Sequence, residues 1–413
     1  MRNWSGHVEF GSTQLLSPTS VTELQQMVAR GPRVRALGTG HSFNDIADTS
    51  GAHVSVGGLP RDIEIHDDVA WLPAGMRYGT AARILDNAGW AVHNMASLGH
   101  ISIGGTVATG THGSGDRNPT LSASVVGLEL VTASGDMRLI RLDSEPDALN
   151  ASVVSLGCVG VVTRVAVRIE PAFTMRQYVF DDVPLDSVLD DFDDLFSSAY
   201  SVSYFTTWSP TEMGQVWMKQ RVDREQPWST PDWMGGHLAT EKRHPLPGHD
   251  AVHCTEQLGE PGPWHERLPH FRLDFTPSSG DELQTEYLVP RANAVAALRD
   301  VAAHAPEIHA LLHVSEIRTM CADDLWLSGA YGRDTVGIHF TWRKTDAVLP
   351  LLPVIDTLLA GHGGRPHWGK LFEATGPLGD RYPRFADFAR VVEESDPAGK
   401  FRNRFIDALL DGM

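Results

Sequence analysis

Apolar residues in "TSVTELQQMVAR", residues 19–30, are spaced as in a helix, with Ser20 or Thr22 placed to cap it. The run "RVRAL" then predicts a short strand ending in Val34, Ala36 and Leu37. "HVSVGGLP", "IEIHDDVAWLPAG" and "VGLELVTASGDMRLI" alternate apolar with polar residues and are separated by turn residues, which is strand patterning. "RYGTAARILDNAGW" returns to helical spacing and ends at Gly89. The first half therefore predicts an α+β fold of short strands, glycine-rich links and few long helices.

Strands resume after Pro171 in "RIEPAFTMRQYVF", and the domain boundary is expected near residue 175, giving units 1–175 and 176–413. Residues 222–280, rich in Pro, Gly, Trp and His without periodicity, predict long ordered loops. "DPAGKFRNRFIDALL" predicts a short closing helix. Two strands near the end carry chemistry on one face. In "HALLHVSEIRTM", alternation groups Ala310, Leu312, Val314, Glu316 and Arg318. In "DTVGIHFTWR", Val336, Ile338, Phe340 and Trp342 share one face, leaving His339 and Thr341 on the other. Such faces suit a cavity wall or the polar outside of a sheet.

Composition narrows the classes of function. The 413 residues exceed one ordinary core, so two domains are expected. Apolar residues make up 42% and charged residues 21%, the balance of a globular protein. A net charge of −18 argues against nucleic acid or an anionic membrane as partner, since both need a basic surface. The start shows no signal-peptide pattern, and no window gives eighteen uninterrupted apolar residues. Three widely spaced cysteines, Cys158, Cys254 and Cys321, make neither a disulfide framework nor a four-cysteine zinc site. A cytoplasmic monomer is expected.

Two glycine-rich stretches change the picture. In "RVRALGTGHSFNDIAD", His41 follows Gly38-Thr39-Gly40, a backbone able to approach a ligand closely. "NMASLGHISIGGTVATGTHGSG" intersperses Gly104, Gly105, Gly110, Gly113 and Gly115 with Ser102, Thr106, Thr109, Thr111 and Ser114. Hydroxyls and bare amides in succession form anion-binding concavities suited to a pyrophosphate. The stretch lacks the lysine of a P-loop and the preceding strand of a dinucleotide fingerprint. A nucleotide-type cofactor is expected.

"GTGHSFND", "NMASLGHISIGGTVATGTHGSG", "TPSSGDELQTEYLVPR", "SEIRT", "HFTW", "RPHWGK" and "DPAGKFRNRF" together resemble the vanillyl-alcohol-oxidase type of flavoprotein, nearly end to end. Within that family they are most similar to the sugar-alcohol and aldonolactone oxidases, on the side of the bacterial alditol oxidases. The resemblance implies a two-subdomain FAD-binding domain, then an α+β substrate domain with a large antiparallel sheet, the C-terminal segment returning toward the flavin. It implies FAD held covalently through His41. Cofactor contacts transfer onto Ala36, Leu37, Gly38, Thr39, Gly40, His41, Ser42, Ser97, Ser102, Gly105, Thr106, Val107, Ala108 and Val161, mostly through backbone amides. No metal is implied.

The implied substrates are linear polyols such as xylitol and sorbitol, oxidised at a primary hydroxyl with dioxygen reoxidising the flavin to give hydrogen peroxide. Arg318 and Lys370 pin oxygens by fixed positive charge. Glu316 accepts hydroxyl hydrogen bonds, and either Glu316 or His339 takes the proton. Thr341 and Ser97 bind the substrate, Ser97 reaching the flavin as well. Ala96 lies in the stretch whose side-chain size is thought to gate oxygen.

Other readings remain. An aldonolactone oxidase or dehydrogenase acting on L-gulono- or L-galactono-lactone is the alternative within the resemblance. His244, His249, His253, Cys254, His265 and His270 invite a hydrolytic zinc site, but Pro245, Pro247 and Gly248 break the helix it needs, and no H-E-x-x-H occurs. A noncatalytic binding protein on the same scaffold would be expected to have lost some of His41, Glu316, Arg318, Thr341 and Lys370. All five are present.

Overall fold

The computed structural model describes residues 1–275 and 281–411. Part of the "TPSSGDELQTEYLVPR" motif, residues 276–280, lies outside them. The first helix is Val21–Arg30; the Ser20 hydroxyl accepts from the Glu23 amide, and Leu24 and Val28 are buried. Val34–Ala36 then joins a small parallel sheet with Leu15–Leu16 and Ala52–Val54. The second helix, Tyr78–Asn87, stops where Gly89 takes a left-handed φ of 81°.

Five antiparallel strands form the larger sheet of the first half, in the order Glu64–His66, Val69–Pro73, Val161–Arg168, Val125–Val131, Met137–Arg141. The remainder is dominated by a ten-stranded sheet. Its central run places Thr174–Val183, Gly214–Arg221, Ser201–Thr206, Leu312–Met320, Thr335–Arg343 and Glu282–Pro290 side by side, all antiparallel. The fold class is α+β with a large antiparallel sheet.

Two main cores follow this division. One packs the five-stranded sheet against Tyr78, Ala81 and Leu85 of the second helix, and also takes Phe385, Phe388, Val392, Ile406 and Leu409 from the C-terminal helices. The other lies behind the ten-stranded sheet, where Ile317, Val336, Ile338, Phe340 and Trp342 meet Leu298 and Val301 of a covering helix. The opposite face of those strands is polar, and it faces the first half of the chain across a cavity.

Candidate active site

A cavity of about 940 Å³ separates the glycine-rich loops from the large sheet. That volume lies at the top of the range for small-molecule sites and admits a dinucleotide-sized ligand. One wall is the passage from Ala36 to Ser42, with Ser97, Ser102, Gly104, Gly105, Thr106 and Ala108. A Cβ at Gly38 would fall 2.1 Å from the Ser102 hydroxyl, so glycine is required where the two loops touch. Gly40 takes φ +67°, which turns the chain toward His41.

The glycines further along serve packing instead. Gly113 leaves room for the Asn94 side chain and Gly115 for the Tyr200 carbonyl, and neither lines the cavity. The Ser114 hydroxyl donates to the Val202 carbonyl. The expected anion-binding run thus faces the cavity only from Ser102 to His112. Val107 and Val161 turn their side chains into hydrophobic cores, while their neighbours Thr106, Ala108, Gly160 and Val162 line the cavity.

His41 stacks on Trp4, ring centroids 4.1 Å apart, with its Nε2 turned to Nε2 of His100. Burial pushes His41 down to about 3, helped by His100 and Lys370, and pushes His100 down to about 4. Both imidazoles are therefore neutral near pH 7, each with one ring nitrogen carrying a lone pair. Residues beyond His41 fasten its loop. Asn44 Nδ2 donates to the Trp368 and Lys370 carbonyls at 2.9 and 2.8 Å, and the Phe43 amide donates to Gly369 at 2.8 Å. "GTGHSFND" and "RPHWGK", 324 residues apart at that contact, are one structural unit.

Antiparallel pairing builds the opposite wall. Thr335–Arg343 lies between Glu282–Pro290 and Leu312–Met320, and His339 pairs with both Glu286 and Glu316. Gln284, Glu286, Glu316, Arg318, His339 and Thr341 all face the cavity, as the two-residue period requires. Two details differ from the expected face. Ala310 lies in the last turn of a helix, Ala305–Leu311. A bulge between Leu312 and Val314 then turns Leu312 into the core behind the sheet.

Each charge in this wall has a partner. Glu316 accepts from His270 Nε2 at 2.8 Å and lies 3.7 Å from Arg318 Nε. Against the upward push of burial, Arg318 and His270 hold the Glu316 carboxyl well below the usual range. Glu286 is 1% exposed and accepts from Arg318 Nη2 at 2.7 Å. His339 Nε2 lies 3.2 Å from Gln284 Oε1, to which Lys370 Nζ also donates. Burial, and then Lys370, push His339 down to about 3.

Sequence reasoning overlooked Gln284, Glu286, His112 and His367, all of which line the cavity. The alternation of Glu282, Gln284 and Glu286 with Leu283, Thr285 and Tyr287 was the available signal. The histidines proposed for zinc have other engagements: His265 lies 3.6 Å from Asp86, His270 meets Glu316, and His244 stacks on His249. Among the described residues, His112, Glu286 and His367 have ligand atoms within 4.8 Å of one another. Arg318 already occupies the Glu286 oxygen, and the Gly369 amide donates to His367 Nδ1 at 3.0 Å.

Comparison with known proteins agrees with this geometry. The family described as "FAD binding domain" matches residues 13–141, and that described as "D-arabinono-1,4-lactone oxidase" matches residues 281–409. An alditol oxidase from Streptomyces sp. is 44% identical, covering 99% of each chain. An L-gulono-1,4-lactone dehydrogenase from Mycobacterium tuberculosis is 29% identical, over 99% of this chain and 98% of its own. The fold alone is shared with cholesterol oxidase from Brevibacterium sterolicum, at TM-score 0.79 and 14% identity, covering 99% of this chain and 96% of that one. The chain belongs to the vanillyl-alcohol-oxidase type of FAD-binding oxidoreductases, in the group that holds the alditol oxidases.

Proposed function

We propose that this chain oxidises the primary hydroxyl of linear sugar alcohols, xylitol and sorbitol among them, to the aldose, with dioxygen reduced to hydrogen peroxide. The observation that carries the reading is the strip of Glu316, Arg318, His339, Thr341, Gln284 and Lys370 facing the glycine-rich wall across one cavity. A polyol bears a hydroxyl on every carbon, and this strip alternates donors and acceptors to meet them. FAD, when bound, would supply the hydride acceptor and the route of the electrons to dioxygen. Ala36 to Ser42, Ser97, Ser102, Gly105, Thr106 and Ala108 would hold it, with His41 as covalent anchor. Residues 1–175 would form the FAD-binding unit and 176–413 the substrate unit. The reading places the chain in the cytoplasm, which three unpaired cysteines support, and takes it to work as a monomer.

Arg318 and Lys370 bind the reacting oxygen and favour its negative charge. Glu316 is a weak base because Arg318 and His270 already stabilise its carboxylate, and burial weakens His339 as well. As the hydride leaves, the hydroxyl proton passes to one of these two bases, and Arg318 and Lys370 favour the negative charge that builds on the oxygen as the proton goes. Glu316 and Thr341 accept from the more remote hydroxyls.

The matched lactone-oxidase family over residues 281–409 supports the second reading, an aldonolactone oxidase or dehydrogenase. Anaerobic mixing separates the two. Xylitol and sorbitol are expected to bleach the flavin, L-gulono- and L-galactono-lactone to do so poorly. Bleaching by the lactones alone would establish the second reading. After denaturation and acid precipitation the flavin is expected to stay with the polypeptide, and His41→Ala to leave it dissociable. Flavin released from the parent protein would remove His41 as anchor.

A further inference from the structure

Glu286 and Arg318 stand on strands that do not touch. Thr335–Arg343 runs between them, pairing His339 with Glu286 and Gly337 with Arg318. Neighbouring strands lie about 4.8 Å apart, so the two backbones are separated by roughly 10 Å. Gly337 leaves the gap through which the side chains meet. A Cβ there would lie 3.1 Å from Glu286 Oε1, 3.3 Å from Met320 Cε and 3.4 Å from His112 Cε1. Gly337 has no positive φ that demands glycine, so the requirement is one of space.

We propose that Glu286, reaching over Gly337, is the positioning residue that aims Arg318 at the substrate. The pairing is buried from all sides. Glu286 is 1% exposed and Arg318 7%, and His112 Nε2 lies 3.1 Å from the same carboxylate oxygen. His112 Nδ1 donates to the Gly113 carbonyl at 2.9 Å, which fixes the ring beside the carboxylate. With Nη2 held by Glu286 and Nε turned toward Glu316, no hydrogen bond to a described residue engages Nη1. A guanidinium is a rigid fork, so fixing one arm sets the direction of the others. Glu286 also balances the positive charge of Arg318.

The rate test rests on the polyol-oxidation reading, and a structural test does not. Glu286→Ala and Gly337→Val are expected to slow flavin reduction at saturating xylitol at least tenfold, with a smaller change in half-saturating concentration. Because both act through Arg318, their effects are expected not to multiply, and Glu286→Ala in an Arg318→Ala background should cost little more. Multiplying losses, or a Glu286→Ala protein reduced as fast as its parent, would overturn the proposal. Should Glu286→Ala fail to fold, the isosteric Glu286→Gln takes its place. In crystal structures of Glu286→Gln and Gly337→Ala, the Arg318 guanidinium is expected to be displaced or doubly placed. A guanidinium unmoved in both overturns the proposal. If the parent protein ignores every polyol, the oxidation reading fails while these structures still decide the pairing.

Discussion

His270 Nε2 lies 2.8 Å from Glu316 Oε1 in a pocket where both side chains are buried. The imidazole ring is itself held edge-on between Phe205 and Trp217, at 5.3 and 5.2 Å. Glu316 is thus aimed by a residue from the long loop region rather than by its own strand. His270→Phe preserves the ring packing and removes the donor. Leaving a buried carboxylate oxygen unpaired is expected to cost about 1–3 kcal/mol of stability, measured by urea unfolding, and to slow flavin reduction. Unchanged stability and rate would show that Glu316 needs no such partner.

Lys219 stands behind that contact. Its ammonium, 1% exposed, donates to the carbonyls of Arg267, Leu268 and Pro269 at 2.7, 2.7 and 3.0 Å. Burial pulls its pKa down to about 7, yet only the charged form satisfies all three acceptors. Lys219→Met is expected to strand these carbonyls, lowering the unfolding midpoint and loosening His270. The activity lost should match that of His270→Phe, and the double variant should be no slower than either alone.

Lys370 and Thr341 line the same wall but are expected to fail differently. Lys370→Met removes a preorganised charge at the reacting oxygen, a loss of about 10²–10³ in the rate of flavin reduction. Thr341→Ala removes a neutral hydrogen bond to a remote hydroxyl and is expected to raise KM, by an amount reflecting about 0.5–1.5 kcal/mol. Stopped-flow reduction by xylitol at varied concentration separates the two. Weaker binding at an unchanged limiting rate in Lys370→Met would make Lys370 a residue of binding alone.

Acid is expected to destabilise the fold through its buried imidazoles. Burial holds His339 and His367 near 3, against about 6.5 in the unfolded chain. Between those values the unfolded state binds the extra protons, so this stability is fully present above pH 6.5 and declines as pH falls toward 3. Glu286 and Glu316, also held low, act in the same direction. Asp323, raised by burial to about 6, and Glu225, also raised by burial, act oppositely. Thermal unfolding from pH 8 to pH 4 should show a falling midpoint below 6.5, with a shallower fall in His339→Gln. A midpoint independent of pH would mean that these histidines are protonated in the folded protein.

Local sequence determined what local physics controls. The two-residue period placed Glu316, Arg318, His339 and Thr341 on one side of their strands, because side chains alternate wherever a strand forms. Ser20 and Gly89 marked helix ends for equally local reasons, a cap and a left-handed turn. The motifs around His41 and Lys370 identified the family. Tertiary structure decided the rest. Ala310 and Leu312 left the expected face because a helix ran on to Leu311 and a bulge followed it, a choice made by pairing with the neighbouring strand. Gly113 and Gly115 turned to packing because their surroundings close over them. Glu286 and Arg318 became partners only when the strand carrying Gly337 came between them, since sheet order and an absent side chain are not written in any single stretch of sequence.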